Sequence, residues 1–292
     1  MSRPTVIRTV AELREALAPA RRDGRLIALV PTMGALHAGH LSLIEAARER
    51  ADLAVMSLFV NPTQFGEGED LEAYPRDEER DVALAGDAGA DIVFAPPPGE
   101  VYPDGFSTAV EVKGVTDVLC GNPDRRGSEH FRGVTTVVAK LLNMVSPGSV
   151  FFGQKDAQQA VVIRRMVRDL DFPVDVVVRP TVREPDGLAL SSRNAYLDAA
   201  ESERASALNR ALRSVADSAA KNPETNGALA AAQTVLAAAG IEPEYLEARY
   251  ADDLTPAHSF NGRPVLVAVA ARVGRARLID NVVVGDAGLT ET

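Results

Sequence analysis

Residues 26–40 read LIALVPTMGALHAGH, and this stretch decides the fold. Its first five residues form a continuous apolar run, which is typical of a strand buried on both faces of a parallel sheet. Gly34 and Gly39 allow tight turns and a close approach of the backbone to a ligand. We predict that a helix begins at about Ala38, so the chain passes from strand to helix through a polar turn, as in a βαβ unit.

The same order of apolar run, polar turn and helical stretch recurs through the first 180 residues. The predicted strands are Leu26–Val30, Leu53–Val60, Asp91–Ala95, Ser149–Phe152 and Val174–Val178. The predicted helices are Ala38–Ala51, Asp77–Gly89, Gly133–Val145 and Ala157–Asp169. This alternation predicts an α/β fold with a doubly wound parallel sheet and right-handed βαβ connections.

The pattern changes after Pro180. A hairpin is predicted over 181–191 and alanine-rich helices over Ala199–Lys221 and Gly227–Ala239. The predicted strands of a small antiparallel sheet follow at Glu244–Tyr250, Pro264–Val273 and Ala276–Val284. Because the chain exceeds the usual single-domain size, we predict two domains, residues 1–180 and a smaller α+β domain over residues 181–292.

Composition restricts the class of protein. The 31 basic and 41 acidic residues give a net charge of −10, which disfavours nucleic acid and anionic membranes as partners. The single cysteine, Cys120, excludes an internal disulfide framework and suits a reducing compartment. Residues Met1–Val10 lack the apolar core of a signal peptide, and no run is long enough to span a bilayer. We therefore expect a cytoplasmic protein with no nucleic acid or membrane partner.

Three polar segments follow predicted strands directly, at Pro31–His40, Asn61–Phe65 and Gly153–Gln159. In open α/β sheets, ligands bind in the crevice outside the carboxyl ends of the strands. We therefore expect the three segments to meet at one site, although about 120 residues separate the first from the last.

Two histidines lie in the first turn of the helix after the first of these strands. The helix N-terminus favours an anion such as phosphate, and His37 and His40 project from one side of it. They could donate hydrogen bonds to phosphoryl oxygens during transfer. Alternatively, they cap the helix or bind zinc, for which Cys120, His130 and His258 are the remaining soft ligands. The pattern is close to the His-x-Gly-His signature of nucleotidyltransferases that form adenylates.

The other two polar segments supply a cation and two amides. Lys155 is a point charge suited to a phosphate, and Asp156 either caps the next helix or faces the site. Gln64 and Gln159 could hold the hydroxyl groups of a substrate and leave its carboxylate free to attack phosphorus. Taken alone, each glutamine would be an ordinary polar loop residue.

Residues at the start of the second predicted domain could complete a phosphate site. Ser191, Ser192 and Arg193 offer two hydroxyls and a guanidinium on a domain that could close over the crevice. The alternative is the end of a hairpin with a solvated arginine. His130 and Arg132, before the helix predicted at Gly133, are further candidates for positioning an anion.

Six segments, in order, resemble the pantothenate synthetase (pantoate–β-alanine ligase) family of the His-x-Gly-His nucleotidyltransferase superfamily. They are PTMGALHAGH at 31–40, FVNPTQF at 59–65, YPR at 74–76, HFRGV at 130–134, FGQKDAQQ at 152–159 and SSRN at 191–194. The similarity extends from about Thr5 to Val284, and six motifs in one order hardly arise by chance.

The resemblance implies an ATP-dependent ligase that joins pantoate to β-alanine through a pantoyl-adenylate, releasing pyrophosphate and then AMP, with Mg²⁺. It also implies a Rossmann-like first domain, a C-terminal lid domain and a cytoplasmic homodimer. Catalytic roles would fall to His37, His40, Lys155 and Arg193, while Gln64 and Gln159 would hold pantoate and Gln64 would also lie near β-alanine. The implied ATP site is Met33, Gly34, Ala35, Leu36, His37, Ala38, Gly39, His40, Gly153, Gln154, Lys155, Asp156, Val182, Leu190, Ser191, Ser192 and Arg193.

The chain departs from the family pattern at four places. Gln154 replaces the usual Glu beside the lysine, and Leu190 replaces a Met with little change of volume. The segment 125–130 is a residue longer than usual, which leaves the roles of Arg125 and Arg126 open. An acidic pair is usual where this chain has Arg80-Asp81, so Asp81 is the candidate ligand for Mg²⁺.

Two other functions fit parts of the pattern. A related nucleotidyltransferase could adenylylate another small acid or a phosphate ester, but the paired glutamines and the Ser-Ser-Arg segment argue against it. A non-catalytic nucleotide-binding protein could share the fold, but the intact His37, His40 and Lys155 argue against that.

Overall fold

A six-stranded parallel sheet forms the framework of the N-terminal part, with the strand order β1-β4-β3-β2-β5-β6. The computed structural model describes residues 3–66 and 71–285. The strands are β1 (Thr5–Ile7), β2 (Ile27–Thr32), β3 (Leu53–Leu58), β4 (Ile92–Phe94), β5 (Ser149–Gly153) and β6 (Asp175–Arg179). The strand order reverses at β2, which pairs with β3 on one side and β5 on the other.

Helices cover both faces of this sheet, because alternate residues of each strand enter different cores. Leu29 of β2 packs in the core that includes residues of α1 (Val10–Arg22), α5 (Ser128–Val145) and α6 (Ala157–Asp169). Its neighbour Val30 packs in the core with α2 (Ala38–Arg50) and α3 (Glu78–Asp87). A short helix, α4 (Pro98–Val101), follows β4. This confirms the predicted Rossmann-like α/β fold, whose continuous apolar strands are buried on both faces.

A three-stranded antiparallel sheet lies in the C-terminal part, as predicted. It consists of β7 (Pro243–Tyr250), β8 (Val265–Val273) and β9 (Ala276–Val284), and the helices before it are α7 (Ala199–Ala205), α8 (Ala207–Ala219) and α9 (Thr225–Ala238). In β8, Val267 packs with α8 and α9, whereas Leu266 joins the core of the parallel sheet. The small sheet therefore packs against both parts of the chain.

The two-domain division at 180/181 remains a prediction, and its outermost residues, 1–2 and 286–292, lie outside the described residues. The shared core means that a movement of the C-terminal part would have to preserve the contacts of one face of the small sheet. Within the described ranges, no helix is both long and apolar enough to cross a lipid bilayer.

Several elements differ from the sequence prediction. The strand β1 was missed because it has three residues and only Ile7 is buried. The helix α1 was also missed, although the capping box of Thr9 and Glu12 was an available signal. The predicted hairpin over 181–191 contains a single bridge, between Arg183 and Ala189. The predicted helix Ala199–Lys221 divides at Ser206 into α7 and α8.

The start of α5 was predicted five residues late, at Gly133. The helix begins at Ser128, after Gly127 turns the chain with a φ of 80°. The turn after β3 approaches the helix closely at Gly133. A Cβ at this position would lie 2.3 Å from the Thr63 carbonyl oxygen, so a glycine is required here although it lies inside a helix. Glycine at 133 therefore allows α5 to support the turn that carries Gln64.

Candidate active site

The three polar segments lie at the carboxyl ends of the neighbouring strands β3, β2 and β5, as predicted. A cavity of about 580 Å³ opens beside the turn after β5 and extends to the C-terminal sheet. It is lined by six of the residues that the sequence singled out for the site, namely His130, Lys155, Asp156, Gln159, Ser191 and Arg193. Residues from both predicted domains therefore meet at one site at the strand-order reversal, where ligands of open α/β sheets bind.

The turn after β2 has an unusual backbone conformation. Gly34 has a φ of 89°, and Ala35, which is not a glycine, has a φ of 52°. The Asp81 carboxylate holds this turn, since its oxygens accept hydrogen bonds from the Ala35 N–H at 2.8 Å and the Leu36 N–H at 2.9 Å. A Cβ at Gly34 would lie 2.8 Å from Asp81 Oδ2, so glycine is required for this close approach.

This geometry argues against the predicted role of Asp81 as a ligand for Mg²⁺. The side chain is 1% exposed, and each of its oxygens already accepts a backbone hydrogen bond. Asp81 instead compensates the strained conformation of the turn.

Asp81→Asn tests this structural role. The variant is expected to lose about 2–4 kcal/mol of unfolding free energy, because an amide nitrogen cannot accept one of the two backbone N–H bonds. The Mg²⁺ concentration for half-maximal activity should stay unchanged. Urea unfolding and a Mg²⁺ titration measure the two quantities, with Asp77→Asn, at the exposed N-cap of α3, as the control. A large rise in the Mg²⁺ requirement at normal stability would restore the metal role.

His37 is the N-cap of α2, and its Nδ1 accepts a hydrogen bond from the Gly39 N–H at 3.1 Å. The capping interpretation is therefore correct for this residue, but it leaves a function for the other ring nitrogen. Since Nδ1 is the acceptor, we assign the proton of the neutral ring to Nε2, which can donate to an anion. The ring lies against that of His40, with 4.1 Å between the centroids.

Both imidazoles are neutral at pH 7. The pKa of His37 is lowered to about 4, chiefly by burial. The Lys155 ammonium contributes to this lowering, and its effect exceeds the opposite effect of Asp156. Burial likewise lowers the pKa of His40 to about 3, with contributions from His37 and Lys155. His40 Nδ1 is buried and forms no hydrogen bond within the described part of the chain. The pair is thus suited to bind an anion by hydrogen bonds.

The lowered pKa values predict a loss of stability in acid. Unfolded histidines bind protons below about pH 6.5, whereas the folded pair stays neutral down to about pH 4. The stability of the fold is therefore unaffected by these histidines' protonation above pH 6.5, and it decreases as the pH falls below that value. Each histidine should reduce the unfolding free energy by up to about 1.4 kcal/mol per pH unit, less in proportion to its exposure. The unfolding free energy, measured with denaturant at pH 7 and at pH 5, should fall less between the two pH values for His40→Asn than for the parent. An equal fall in unfolding free energy for variant and parent would contradict the low pKa of His40.

The turn after β5 carries Lys155 and Asp156. Lys155 Nζ lies 3.4 Å from Asp156 Oδ2, and both side chains line the cavity. Asp156 precedes α6 but makes no capping hydrogen bond with its side chain, so the capping interpretation is wrong for this residue. Burial would raise the pKa of Asp156, but Lys155 and Arg193 outweigh it and lower the pKa, which keeps the carboxylate ionised.

The two predicted glutamines have different surroundings. Gln64 donates to Met33 Sδ at 3.0 Å and accepts from Asn61 Nδ2 at 3.1 Å, so its amide is held at the edge of the turn after β2. Gln159 lines the cavity directly. Its neighbour Gln158 is buried and instead binds the loop before α5, where it accepts from the Cys120 N–H at 3.0 Å.

The segment from Ser191 to Arg193 contributes to the cavity wall from the C-terminal part. Ser191 begins a 3₁₀ helix over Ser192–Tyr196, and its Oγ accepts a hydrogen bond from the Arg193 N–H at 3.3 Å. The Leu190 N–H donates to the Val182 carbonyl oxygen at 3.0 Å, which sets the two predicted nucleotide contacts side by side across the turn. Arg193 is half-buried and lines the cavity, which favours the phosphate-site interpretation over that of a solvated arginine at the end of a hairpin.

The structure separates the residues of the 125–132 segment. His130 lines the cavity, and its Nδ1 lies 2.7 Å from the Gln64 carbonyl oxygen, while Nε2 lies 3.2 Å from Arg126. Arg132 instead forms an ion pair with Glu129 at 2.9 Å, and Arg125 forms one with Glu247 at 2.9 Å. Of the four polar side chains compared here, those of His130 and Arg126 line the cavity, and Phe131, which follows His130 in α5, lines it as well.

Sequence reasoning missed the contribution of the C-terminal sheet to the cavity. The cavity wall includes arginines and two polar residues around the β8–β9 turn, namely Arg272, Arg275, Arg277, Asp280 and Asn281. The sequence signal for this contribution was the recurrence of three arginines within six residues, 272–277, at a predicted hairpin. Asp280 and Asn281 carried no such signal, because their partners lie about a hundred residues away in the sequence.

Comparisons with known proteins agree over almost the whole chain. The family described as pantoate-beta-alanine ligase matches residues 5–283. The pantothenate synthetase of Moorella thermoacetica is 52% identical over 281 residues, covering 95% of this chain and 98% of the relative. The crystal structure of pantothenate synthetase from Thermus thermophilus has a TM-score of 0.89 at 47% identity and covers 95% of this chain and 98% of its own. The pantoate-beta-alanine ligase from Francisella tularensis, complexed with beta-gamma ATP and beta-alanine, has a TM-score of 0.80 at 30% identity and covers 98% of this chain and 100% of its own.

Proposed function

The chain belongs to the pantoate–β-alanine ligase family, and we propose that it joins pantoate to β-alanine through a pantoyl-adenylate. It is an ATP-dependent acid–amine ligase, and pantothenate, pyrophosphate and AMP are its products. One observation supports the proposed roles of individual residues. The His37–His40 pair follows β2 and Lys155 follows β5, and these two strands are neighbours in the sheet.

We propose that ATP binds along the turn after β2, with its phosphates toward the N-terminus of α2. Neutral His37 and His40 would donate hydrogen bonds to phosphoryl oxygens, and Lys155 and Arg193 would supply the positive charge. The strained turn at Ala35 supports this proposal, because residues in unfavourable backbone conformations cluster at ligand sites. The remaining nucleotide contacts are proposed to come from the predicted residues in 33–40, 153–156, Val182 and 190–193.

Pantoate is proposed to bind between Gln64 and Gln159, through its hydroxyl groups. Neutral amides would orient the acid without neutralising its carboxylate, which remains a nucleophile. The hydrogen bonds of Gln64 to Met33 and Asn61 support the proposal, because they fix the amide before the substrate arrives. Gln64 is also proposed to lie near the incoming β-alanine.

In the first step, a pantoate carboxylate oxygen attacks the α-phosphorus of ATP, and the bond to the β-phosphate breaks with release of pyrophosphate. No protein nucleophile takes part, so the rate depends on positioning and on stabilising the charge that develops on the leaving group. In the second step, the β-alanine amine attacks the acyl carbon, loses a proton, and AMP leaves. Exclusion of water by the C-terminal part would protect the mixed anhydride from hydrolysis.

Mg²⁺ is proposed to arrive with the triphosphate and not through a site built by the protein. Mg²⁺ commonly keeps several waters and binds substrate phosphates with one or two carboxylates. Asp81 does not fit as such a ligand, since both its oxygens accept backbone hydrogen bonds. Asp156 is instead proposed as the carboxylate near the phosphates, because it lines the cavity beside Lys155, whereas Asp280 in the same wall is paired with Arg183.

The cellular setting is also a proposal. The single cysteine and the net charge of −10 support a cytoplasmic protein that works on small molecules without nucleic acid. The family resemblance supports a homodimer and a C-terminal part that closes over the site. Sedimentation of the purified protein would test the dimer.

Product analysis tests the proposed function. The protein is incubated with ATP, Mg²⁺, pantoate and β-alanine, and pantothenate, AMP and pyrophosphate are expected in equal amounts. A panel of other small acids and of phosphate esters, each with ATP, serves as the control for substrate class. Adenylation of another acid in preference to pantoate would overturn the substrate assignment, and ATP binding without turnover would favour a non-catalytic protein.

A further inference from the structure

Asn281 connects the C-terminal sheet to the turn that carries Lys155. Its side chain is buried, and its Nδ2 donates to the carbonyl oxygens of Gln154 at 2.9 Å and Lys155 at 3.0 Å. Both hydrogens of the amide are therefore used on one turn of backbone. These bonds satisfy two carbonyl groups in the 3₁₀ turn between β5 and α6.

The preceding residue fixes the position of Asn281. Asp280 is buried and accepts two hydrogen bonds from Arg183, at 2.7 and 2.9 Å, and its Oδ1 also accepts from the Asn281 N–H at 2.8 Å. In β9, the two residues pair with Val269 and Ala268 of β8. The amide of Asn281 is thus held by a strand ladder and a bidentate ion pair before it meets the turn.

The contacts of the Lys155 side chain are weaker than those of its backbone. Its Nζ lies 3.4 Å from Asp156 Oδ2, a distance at which a hydrogen bond is weak. The backbone of the turn therefore determines where the ammonium group lies. Misplacement of a catalytic group by about 1 Å can reduce the rate by about 10²-fold.

We propose that Asn281 is a positioning residue for the adenylation step, acting through Lys155 and not by contact with substrate. The inference rests on the proposed function, since it assumes that Lys155 serves the transfer of the adenylyl group. It gives the C-terminal sheet a part in the first chemical step, because β9 holds the turn in place before any closure of the site.

Two variants of Asn281 test the proposal by pantoate-dependent exchange of pyrophosphate into ATP. Asn281→Asp places an oxygen against the two carbonyls and is expected to lower the exchange rate by about 30–100-fold. Asn281→Ala removes the donors without adding charge and should lower the exchange rate by about 10-fold. This variant tests the proposal if Asn281→Asp fails to fold. The KM for pantoate should change less than about twofold, since pantoate is proposed to bind Gln64 and Gln159 and not Asn281.

Leu278→Ala is the matched control for stability. Leu278 lies on the same strand but packs in the core with α8 and α9, away from the turn. Its rate should stay within about twofold of the parent at a temperature where all variants are folded. A loss of rate in Leu278→Ala equal to that of the Asn281 variants would overturn the proposal.

A double substitution separates action through Lys155 from an independent effect. Adding Asn281→Ala to Lys155→Ala should reduce the residual rate by less than about twofold, because the side chain to be positioned is gone. A further 10-fold loss in that background would overturn the proposal. Failure of the unsubstituted protein both to exchange pyrophosphate and to form AMP in the complete mixture would instead count against the proposed function itself.

Discussion

Replacement of His40 by alanine is expected to slow pantoate-dependent pyrophosphate exchange by about 10²–10³-fold while the fold is retained. The ring of His40 lies against His37 at the first turn of α2, and burial holds its pKa near 3, so it acts as a neutral donor. Such a donor, fixed in place before the reaction, stabilises developing charge without reorganisation. The substitution removes this interaction from the transition state.

His258→Ala is the matched control for His40. His258 is exposed in the C-terminal part and does not line the cavity, so its replacement should leave the exchange rate within about twofold of the parent. Circular dichroism and the unfolding midpoint establish that both variants are folded. Near-normal exchange in folded His40→Ala would remove His40 from the chemistry.

Replacement of Lys155 by alanine is expected to lower the adenylation rate on the order of 10³-fold. Lys155 is a cation in the cavity wall, on the turn after β5, which pairs with the strand β2 that precedes the histidines, and its ammonium group lowers the pKa of both His37 and His40. Single-turnover formation of pyrophosphate measures the step directly. Lys155→Arg should recover only part of the rate, because a guanidinium fork does not reproduce the point charge of an ammonium.

Lys221→Ala controls for the loss of one positive charge. Lys221 is exposed and lies just after α8, so the variant has the same net charge as Lys155→Ala without a change at the cavity. Its single-turnover rate should match that of the parent. If Lys155→Ala were as fast as Lys221→Ala, the phosphate-binding role of Lys155 would be lost.

The sequence was sufficient to predict the parallel sheet and the meeting of its polar turns. The apolar run Leu26–Val30 identified the strand β2, which begins one residue later and buries residues 27–30, and the carboxyl ends of such strands meet at one edge. The strand β1 escaped because three residues carry no periodic signal. The early start of α5 escaped because Gly133, which ordinarily weakens a helix, is required here by contact with Thr63.

Contacts between distant segments could not be read from the sequence. The partners of Asp81 lie 45 and 46 residues away, and a carboxylate that holds a backbone turn has the same sequence pattern as one that holds a metal. The amide of Asn281 meets carbonyls 126 and 127 residues away. Such positions depend on how the two sheets pack, which local pattern and propensity do not encode.

The most direct test of the central claim is the exchange of labelled pyrophosphate into ATP, with pantoate present and β-alanine absent. Reversible formation of a pantoyl-adenylate predicts exchange that requires pantoate and is lost in His40→Ala. If no exchange occurs, the complete mixture with β-alanine is assayed for AMP, because retained pyrophosphate could hide the reverse step. A folded protein that gives neither exchange nor AMP would contradict the account.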